Sequence, residues 1–299
     1  MVRAPREISL SPYRISKHAV TNRQFEAYVQ STGYTTEAER FEWSFVFHLF
    51  LPDDVPDTRG VAATPWWRQV YGADWAHPAG PQSSLDDVWD HPVIHVSWND
   101  PQAYCQAGVR LPTEAEWQMA ARGDLVQQRL AWGDEFSPTG VTMCNIFEGD
   151  FPITNTADDG YVGTAPVDAF RAKGFGLHNM AGNVWKWCSD WFHTDFHING
   201  PPSNPQGPRG GEAKGHTRRL VPLPRFVSQS LPGLGSQLKH PRLGNRQSRL
   251  SDRGRTVGRL IRPPKVDATG KDVDAMWSTP TCRRCRPSFR RHGGCAPRP

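Results

Sequence analysis

The stretch MCNIFEGDFPITNTADDGYVGTAPVDAFRAKGFGLHNMAGNVWKWCSDW, from Met143 to Trp191, decides the fold. It is rich in Asn, Asp and Gly, which favour turns and irregular backbone over regular helix. Amide and carboxylate oxygens of such residues are also the ligands that Ca²⁺ prefers. Composition alone therefore leaves two interpretations open for this stretch, β-turns or calcium-binding loops.

The order of residues here and upstream is more specific than the composition. The strings NI…GDFP.TNT..DG..GTAPVDAF and G.GL.NM.GNVW.W.SDW resemble the formylglycine-generating enzymes, also called sulfatase-modifying factors. Further matching segments lie upstream, at TGYTTEAERFEWSFVF (Thr32–Phe47), ATPWWRQVYGADWAHPAGP (Ala63–Pro81), HPVIHVSWNDPQAYC (His91–Cys105) and RLPTEAEW (Arg110–Trp117). The resemblance runs from about Arg6 to about Lys214 and implies an α+β fold, C-type-lectin-like, with little regular secondary structure.

Local patterns predict a few regular elements. Alternation predicts a strand over Glu7–Ser16, and a short apolar run predicts another over Pro92–Trp98, followed by a helix that Asn99 would cap. Thr21 is expected to cap another helix, and Thr113 with Glu116 forms the capping-box pattern before a helix that ends near Arg122. Beyond Gly123 the frequent Gly, Pro and Asp predict long loops.

The charge distribution divides the chain in two. Residues 215–299 carry 19 Lys and Arg against 4 acidic residues, whereas the rest carries 16 against 26. The basic part is poor in apolar residues, so burial cannot offset its ordering entropy. We therefore predict a family domain over residues 1–214, without the carboxy-terminal catalytic block of the family, and a disordered Arg- and Pro-rich tail over residues 215–299.

The resemblance implies a calcium site. In the family, one site uses the positions of Asn145, Ile146, Asp159 and Tyr161, where the apolar and aromatic members contribute carbonyl oxygens. All of these positions are occupied suitably in this chain. One bound calcium is therefore expected.

A second family calcium site uses the positions of Asn179, Gly182, Val184 and an acidic residue. This chain has Lys186 in place of the acidic residue. An ammonium has no lone pair to donate and repels a cation. We expect this second site to be empty or filled by the amine.

The catalytic part of the family pattern is missing. Formylglycine-generating enzymes oxidise a cysteine of a sulfatase polypeptide with O₂ and copper(I), which two cysteines of a block resembling RGGSYLCHDSYCNRYR hold as thiolates. No such block is present, and no catalytic residue is assigned. Two core cysteines, Cys144 and Cys188, have no assigned role. The tail has C-x-x-C spacing, which accident explains better than zinc or redox chemistry because no second ligand pair is present; its cysteines are Cys282, Cys285 and Cys295.

A one-base shift of reading frame explains the loss. Codons permitted for Arg218 to Val221, read from their second base, spell Gly-Gly-Ser-Tyr, and Leu223 with Pro224 can yield Cys. Ser228 with Gln229 yields only codons that begin with C or G, so the second family cysteine is absent even in the shifted frame. We predict a frameshift near Lys214.

Other candidate groups have structural interpretations. Glu114 and Glu116 are two residues apart on a helix and do not share a face, so capping and salt bridges are expected rather than acid–base catalysis. His91 and His95 would face one side of a strand, but no third metal ligand is identified. A core role is favoured over substrate stacking for the group of tryptophans, Trp66, Trp67, Trp75 and Trp98.

Two functions remain. The first is a copper-dependent oxidoreductase of sulfatases that is catalytically incomplete in this chain; the alternative is a non-enzymatic, calcium-binding, lectin-like scaffold with a basic tail. The tail would bind nucleic acid only non-specifically. Neither an apolar run of membrane-spanning length nor a signal pattern is present, which predicts a cytoplasmic protein without a membrane partner.

Overall fold

The computed structural model describes residues 7–216, except 54, 63, 106–108, 124, 127, 194–195 and 212–213. Within this range short helices and strands are joined by long irregular segments, so the α+β prediction is confirmed. The predicted disordered tail lies, beyond His216, outside the described residues.

The helices begin at side-chain caps. Helix α1 spans Asn22–Thr32, and Thr21 forms the predicted cap: its hydroxyl accepts the Gln24 N–H at 3.1 Å, and the Gln24 side chain accepts the Thr21 N–H at 3.0 Å. Helix α2 spans Glu37–Phe41. On α1, Phe25 packs edge-to-face on Trp75 with 5.3 Å between ring centroids.

Two more helices test the sequence predictions directly. Helix α3 spans Asn99–Tyr104; its N-cap is Trp98, so the prediction that Asn99 caps it was wrong. Ser97 provides the local stabilisation instead, because its hydroxyl accepts the Asn99 N–H at 3.1 Å. Helix α4, Glu114–Arg122, has the predicted capping box.

The strands form small antiparallel sheets. β1 (Trp43–Phe47), β2 (Arg59–Val61) and β3 (Thr64–Tyr71) form a sheet in the order β1-β3-β2. The remaining strands pair two by two: β4 (Gly149–Asp150) with β5 (Thr154–Asn155), and β6 (Trp187–Trp191) with β7 (Lys214–His216). A short helix α5, Phe196–Asn199, lies between β6 and β7.

The strands predicted over Glu7–Ser16 and Pro92–Trp98 were both wrong. Residues 7–16 form only an isolated bridge between Ser9 and Ser203, and residues 92–98 only one between Thr21 and Pro92. At His95 the backbone φ is 57°, which interrupts an extended conformation. Side-chain pattern describes how a segment is buried, but within the described residues neither segment pairs with a neighbour beyond its single bridge.

Aromatic residues build the core, as predicted for the tryptophans. Trp67 packs with Phe47 and Phe147 in one buried cluster, and Trp75 lies in another beside α1. Trp98 donates its indole N–H to the Cys188 carbonyl at 2.9 Å, which connects α3 to β6. These contacts show that these tryptophans stabilise the core and do not form an exposed stacking surface.

His95 is a buried structural histidine. Its Nε2 lies 2.8 Å from the Pro78 carbonyl oxygen and its Nδ1 2.8 Å from the Ser44 hydroxyl. The carbonyl requires a donor, so Nε2 carries the proton and Nδ1 accepts from Ser44. His91 contacts Thr164 through Nδ1 at 2.8 Å, and so the two histidines have different partners.

This environment gives a pH prediction. Burial lowers the pKa of His95 to about 4, below the value of about 6.5 expected in the unfolded chain. Between these values the unfolded state binds more protons, so stability falls as the pH falls. Denaturant titrations at pH 7 and pH 5 should differ by about 2 kcal/mol. The His95→Gln variant should show a smaller difference; an equal difference would contradict the assignment.

Candidate functional site

The predicted ligands of the first calcium site come together around one carboxylate. Asp159 accepts the Ile146 N–H through Oδ2 and the Tyr161 N–H through Oδ1, both at 2.9 Å. The Asn145 amide nitrogen donates to the Gly163 carbonyl at 2.8 Å. These bonds hold the four residues in one concave turn, in which Asn145 is almost completely buried.

The oxygen atoms required for a cation are present in this turn. Within the described part of the chain, no hydrogen-bond donor reaches the Asn145 amide oxygen or the carbonyl oxygens of Ile146 and Tyr161. Glu148 adds a further carboxylate, which accepts the Asp159 N–H at 2.7 Å. The residues present therefore fit a hard cation that takes oxygen ligands.

The electrostatics agree with this donor set. Burial, together with the negative charges of Asp159 and Asp158, raises the pKa of Glu148. A buried carboxylate beside other negative charges carries such a penalty, and a bound divalent ion would reduce it. The sequence analysis did not identify Glu148.

The turn at residues 179–186 is hydrogen-bonded to the first site. Asn183, in a left-handed conformation with φ of 59°, donates its N–H to the Asn145 carbonyl at 2.8 Å. Its amide also makes a two-point contact with the Ala165 backbone, at 3.0 and 2.8 Å. Gly182 is required here because a Cβ would collide with the Asn145 carbonyl oxygen. The Gly-Asn pair was a detectable turn signal that the sequence analysis left without a role.

The second predicted site has a different chemistry. Lys186 Nζ donates to the Gly182 carbonyl at 2.7 Å, so an ammonium contacts an oxygen that the family pattern assigns to calcium. Asn179 donates to the carbonyls of Pro166 and Val167, both at 3.0 Å, while its buried Oδ1 has no hydrogen-bond partner among the described residues. Val184 is buried beside this turn. These residues do not fit a second divalent cation.

The cysteines of the described residues do not form a copper(I) site. Cys144 and Cys188 are 1% and 0% exposed, and Cys105 is half-buried; all three are free thiols. Burial raises the pKa of Cys144 to about 12 and that of Cys188 well above its usual range. Copper(I) binds thiolates, and burial disfavours the thiolate form of Cys144 and Cys188. No described cluster of at least three His, Cys, Asp or Glu side chains has metal-binding geometry.

Glu114 and Glu116 are structural, as predicted. Glu116 accepts two hydrogen bonds from the Arg110 guanidinium, at 2.7 and 2.6 Å, and one from the Thr113 N–H at 2.8 Å. The guanidinium lowers the pKa of Glu116. Glu114 accepts from the Gln118 amide at 3.0 Å. The two carboxylates therefore have separate partners within and before α4.

Comparison with protein families identifies the class. The family model described as "Sulfatase-modifying factor enzyme 1-like domain" matches residues 2–228. This is most of the chain, and the chain belongs to this family.

Individual relatives within this family describe the chain's similarity more specifically than the family model does. The "Formylglycine-generating enzyme" of Thermomonospora curvata is 53% identical over 214 residues, 70% of this chain and 71% of that protein. The protein of the same name from Bos taurus is 49% identical over 210 residues, 69% of this chain and 56% of that protein. The "Inactive C-alpha-formylglycine-generating enzyme 2" of Bos taurus is 42% identical over 193 residues, 63% of each. The family thus contains both enzymes and inactive paralogues.

Similarity to solved structures is weak by comparison. Treponema denticola variable protein 1 matches 75% of this chain and 79% of that chain, with 18% identity and a TM-score of 0.42. A score this low does not define the fold. None of the helices in the described ranges is both long enough and apolar enough to span a bilayer.

Proposed function

We propose that this chain derives from a copper-dependent oxidoreductase that converts a cysteine of sulfatase polypeptides to formylglycine with O₂, and that it is catalytically incomplete. The support for descent is the family membership and 53% identity to a formylglycine-generating enzyme. The support for incompleteness comes from the described thiols: Cys144 and Cys188 are buried, and this burial raises the pKa of both.

A frameshift near Lys214 accounts for both the descent from an enzyme and the catalytic incompleteness. It would separate an intact amino-terminal part of the domain from the segment that supplies the thiolates. The lectin-like character of the fold belongs to the same proposal, as does a cytoplasmic location.

Copper(I) competition tests the missing thiolate pair. The full chain is titrated with copper(I) against a chromophoric chelator, beside a variant with Cys282→Ser, Cys285→Ser and Cys295→Ser. We expect any tight copper binding to disappear in the triple variant, because the cysteines of the described residues do not form a copper(I) site. Tight binding that survives in the triple variant would contradict the proposal.

The first calcium site favours the alternative function, a non-enzymatic calcium-binding scaffold. The hydrogen bonds that hold Asn145, Ile146, Asp159 and Tyr161 together support this alternative. A protein of this kind would retain the ion-stabilised loops as a rigid surface. Salt-dependent, sequence-independent DNA binding by the tail is a separate prediction, on residues outside the described range.

Calorimetric titration with calcium should give one tight site. Asp159→Ala removes the carboxylate around which the turn is organised, so we expect affinity to fall roughly 100-fold. Asp168→Ala removes the same charge from an exposed position and should leave affinity unchanged. Two tight sites in the unaltered chain, or none, would contradict the assignment.

A further inference from the structure

An open groove of about 400 Å³ is lined by strand β3, by residues 51–52 and 55–58, and by Pro152. Its lining combines apolar surface, from Trp66 and four prolines, with the polar side chains of Arg68, His48 and Asp57. Sites for small molecules have volumes of about 300–1,000 Å³. The groove therefore has the size of a small-molecule site, and it shares no lining residue with the calcium-binding turn.

Arg68 presents a guanidinium that is held in place without an acidic partner. Its Nε donates to the Thr58 hydroxyl at 2.7 Å, and its Nη2 donates to the Thr58 carbonyl. Its Nη1 lies over Gly60, where a Cβ would stand 3.4 Å from this nitrogen. Within the described ranges, no carboxylate pairs with Arg68, and Nη1 is neither hydrogen-bonded nor among the buried unpaired atoms. A fixed cation with an accessible N–H edge is suited to a ligand carboxylate.

Two other lining residues supply acceptors. Asp57 is exposed, and no cation of the described residues pairs with its carboxylate. His48 Nε2 lies 2.8 Å from the Pro152 carbonyl oxygen, which can only accept, so Nε2 carries the proton and Nδ1 keeps its lone pair. No donor within the described part of the chain reaches Nδ1. A carboxylate and a ring lone pair are suited to an ammonium group.

We propose that this groove binds a small zwitterion with an apolar side chain, either a free α-amino acid or a dipeptide. Arg68 binds the carboxylate of the ligand, and Asp57 with His48 binds the ammonium. The apolar side chain packs on Trp66 and the prolines. A ligand with only one of the two charges leaves the other charged residue of the groove without a partner and brings a like charge near it, so both charges are required.

Ligand-observed NMR titration of the full 299-residue chain tests this proposal. The probes are L-phenylalanine and the dipeptide L-phenylalanyl-L-leucine, each beside its N-acetyl and its C-terminal amide form. We expect saturable binding of at least one zwitterion, with a dissociation constant of roughly 0.1–1 mM for an open site of this size. Each capped form should bind at least about fivefold more weakly. The tighter of the two zwitterions identifies the source of the ligand.

Matched variants locate the binding. Arg68→Gln should weaken binding of the zwitterion about 10-fold and leave binding of its amide form unchanged. Arg59→Gln removes the same charge from an exposed position outside the groove and should not alter binding. Asp57→Asn should weaken binding of the zwitterion about threefold and leave binding of the N-acetyl form unchanged. Its control is Asp53→Asn, which is exposed and does not line the groove.

Three results would overturn the proposal. The first is the absence of saturable binding for both zwitterions. The second is equal binding of the capped and uncapped ligands to the unaltered chain, which does not depend on the folding of any variant. The third is an equal loss in Arg59→Gln and Arg68→Gln, which would assign the effect to net charge. None of these measurements involves copper or a thiol, so their failure is distinct from failure of the proposed function.

Discussion

Deleting one base after codon 214 is expected to raise the thermal midpoint of the domain by at least about 10 °C. The segment restored by the deletion would bury apolar side chains against the domain, and each fully buried one contributes about 1.5–3 kcal/mol. A few such side chains amount to several kcal/mol. For a domain of this size each kcal/mol shifts the midpoint by about 2–4 °C.

The control is an insertion of one base at the same position, which produces the third frame and should give no gain. Thermal unfolding followed by near-ultraviolet circular dichroism reports the packing of the aromatic core. Equal midpoints for the deletion and the insertion would contradict the frameshift.

The repaired protein should still be deficient in catalysis. In the shifted frame the codon formed by Ser228 and Gln229 cannot encode cysteine, so only one of the two copper-binding thiols returns. Activity should appear only when that codon is also changed to cysteine. Full activity of the protein repaired by the deletion alone would show that one thiol suffices.

Lys186→Glu is expected to raise the number of calcium ions bound from one to two. The ammonium of Lys186 contacts the Gly182 carbonyl oxygen at 2.7 Å. The family pattern assigns this oxygen to a calcium ion. A carboxylate at this position adds a hard anionic ligand beside the unpaired Oδ1 of Asn179. We expect the gained site to bind at least about 10-fold more tightly than any residual binding there in the unaltered chain.

Two variants distinguish the effect of the added carboxylate ligand from the effect of the changed net charge. Lys186→Gln removes the ammonium without adding a carboxylate, and should leave one ion bound. Lys17→Glu makes the same charge change at an exposed position and should also leave one. Calorimetry gives the stoichiometry directly; a second ion in Lys17→Glu would show that net charge, not a specific ligand, controls binding.

Elements whose stability is local were predictable from the sequence. Thr21 and Thr113 are followed three residues later by Gln24 and Glu116, so each cap is complete within its own segment. Strands depend on distant partners. β1 and β3 pair Trp43 with Tyr71, a register that no local pattern specifies, whereas the apolar run at residues 92–98 forms only the isolated bridge from Pro92 to Thr21.

In the candidate site, too, contacts between distant residues were harder to predict than local contacts. Asn145 and Asp159 could be placed in one site only through resemblance to a family, since the loop between them has no regular period. Glu148 and Asn183 were missed because their contributions, a carboxylate on the Asp159 N–H and an N–H on the Asn145 carbonyl, arise from loop packing. The hydrogen bond from Lys186 to Gly182 could be anticipated, because the two residues are only four positions apart in the sequence.

The most direct test of the central claim is the reaction itself. The full 299-residue chain, loaded with copper(I) and supplied with O₂, is incubated with a peptide that contains Cys-x-Pro-x-Arg, and the product is analysed by mass spectrometry. The account predicts that the cysteine remains a thiol, with no aldehyde above the level given by copper alone. Turnover to formylglycine by this chain would contradict it.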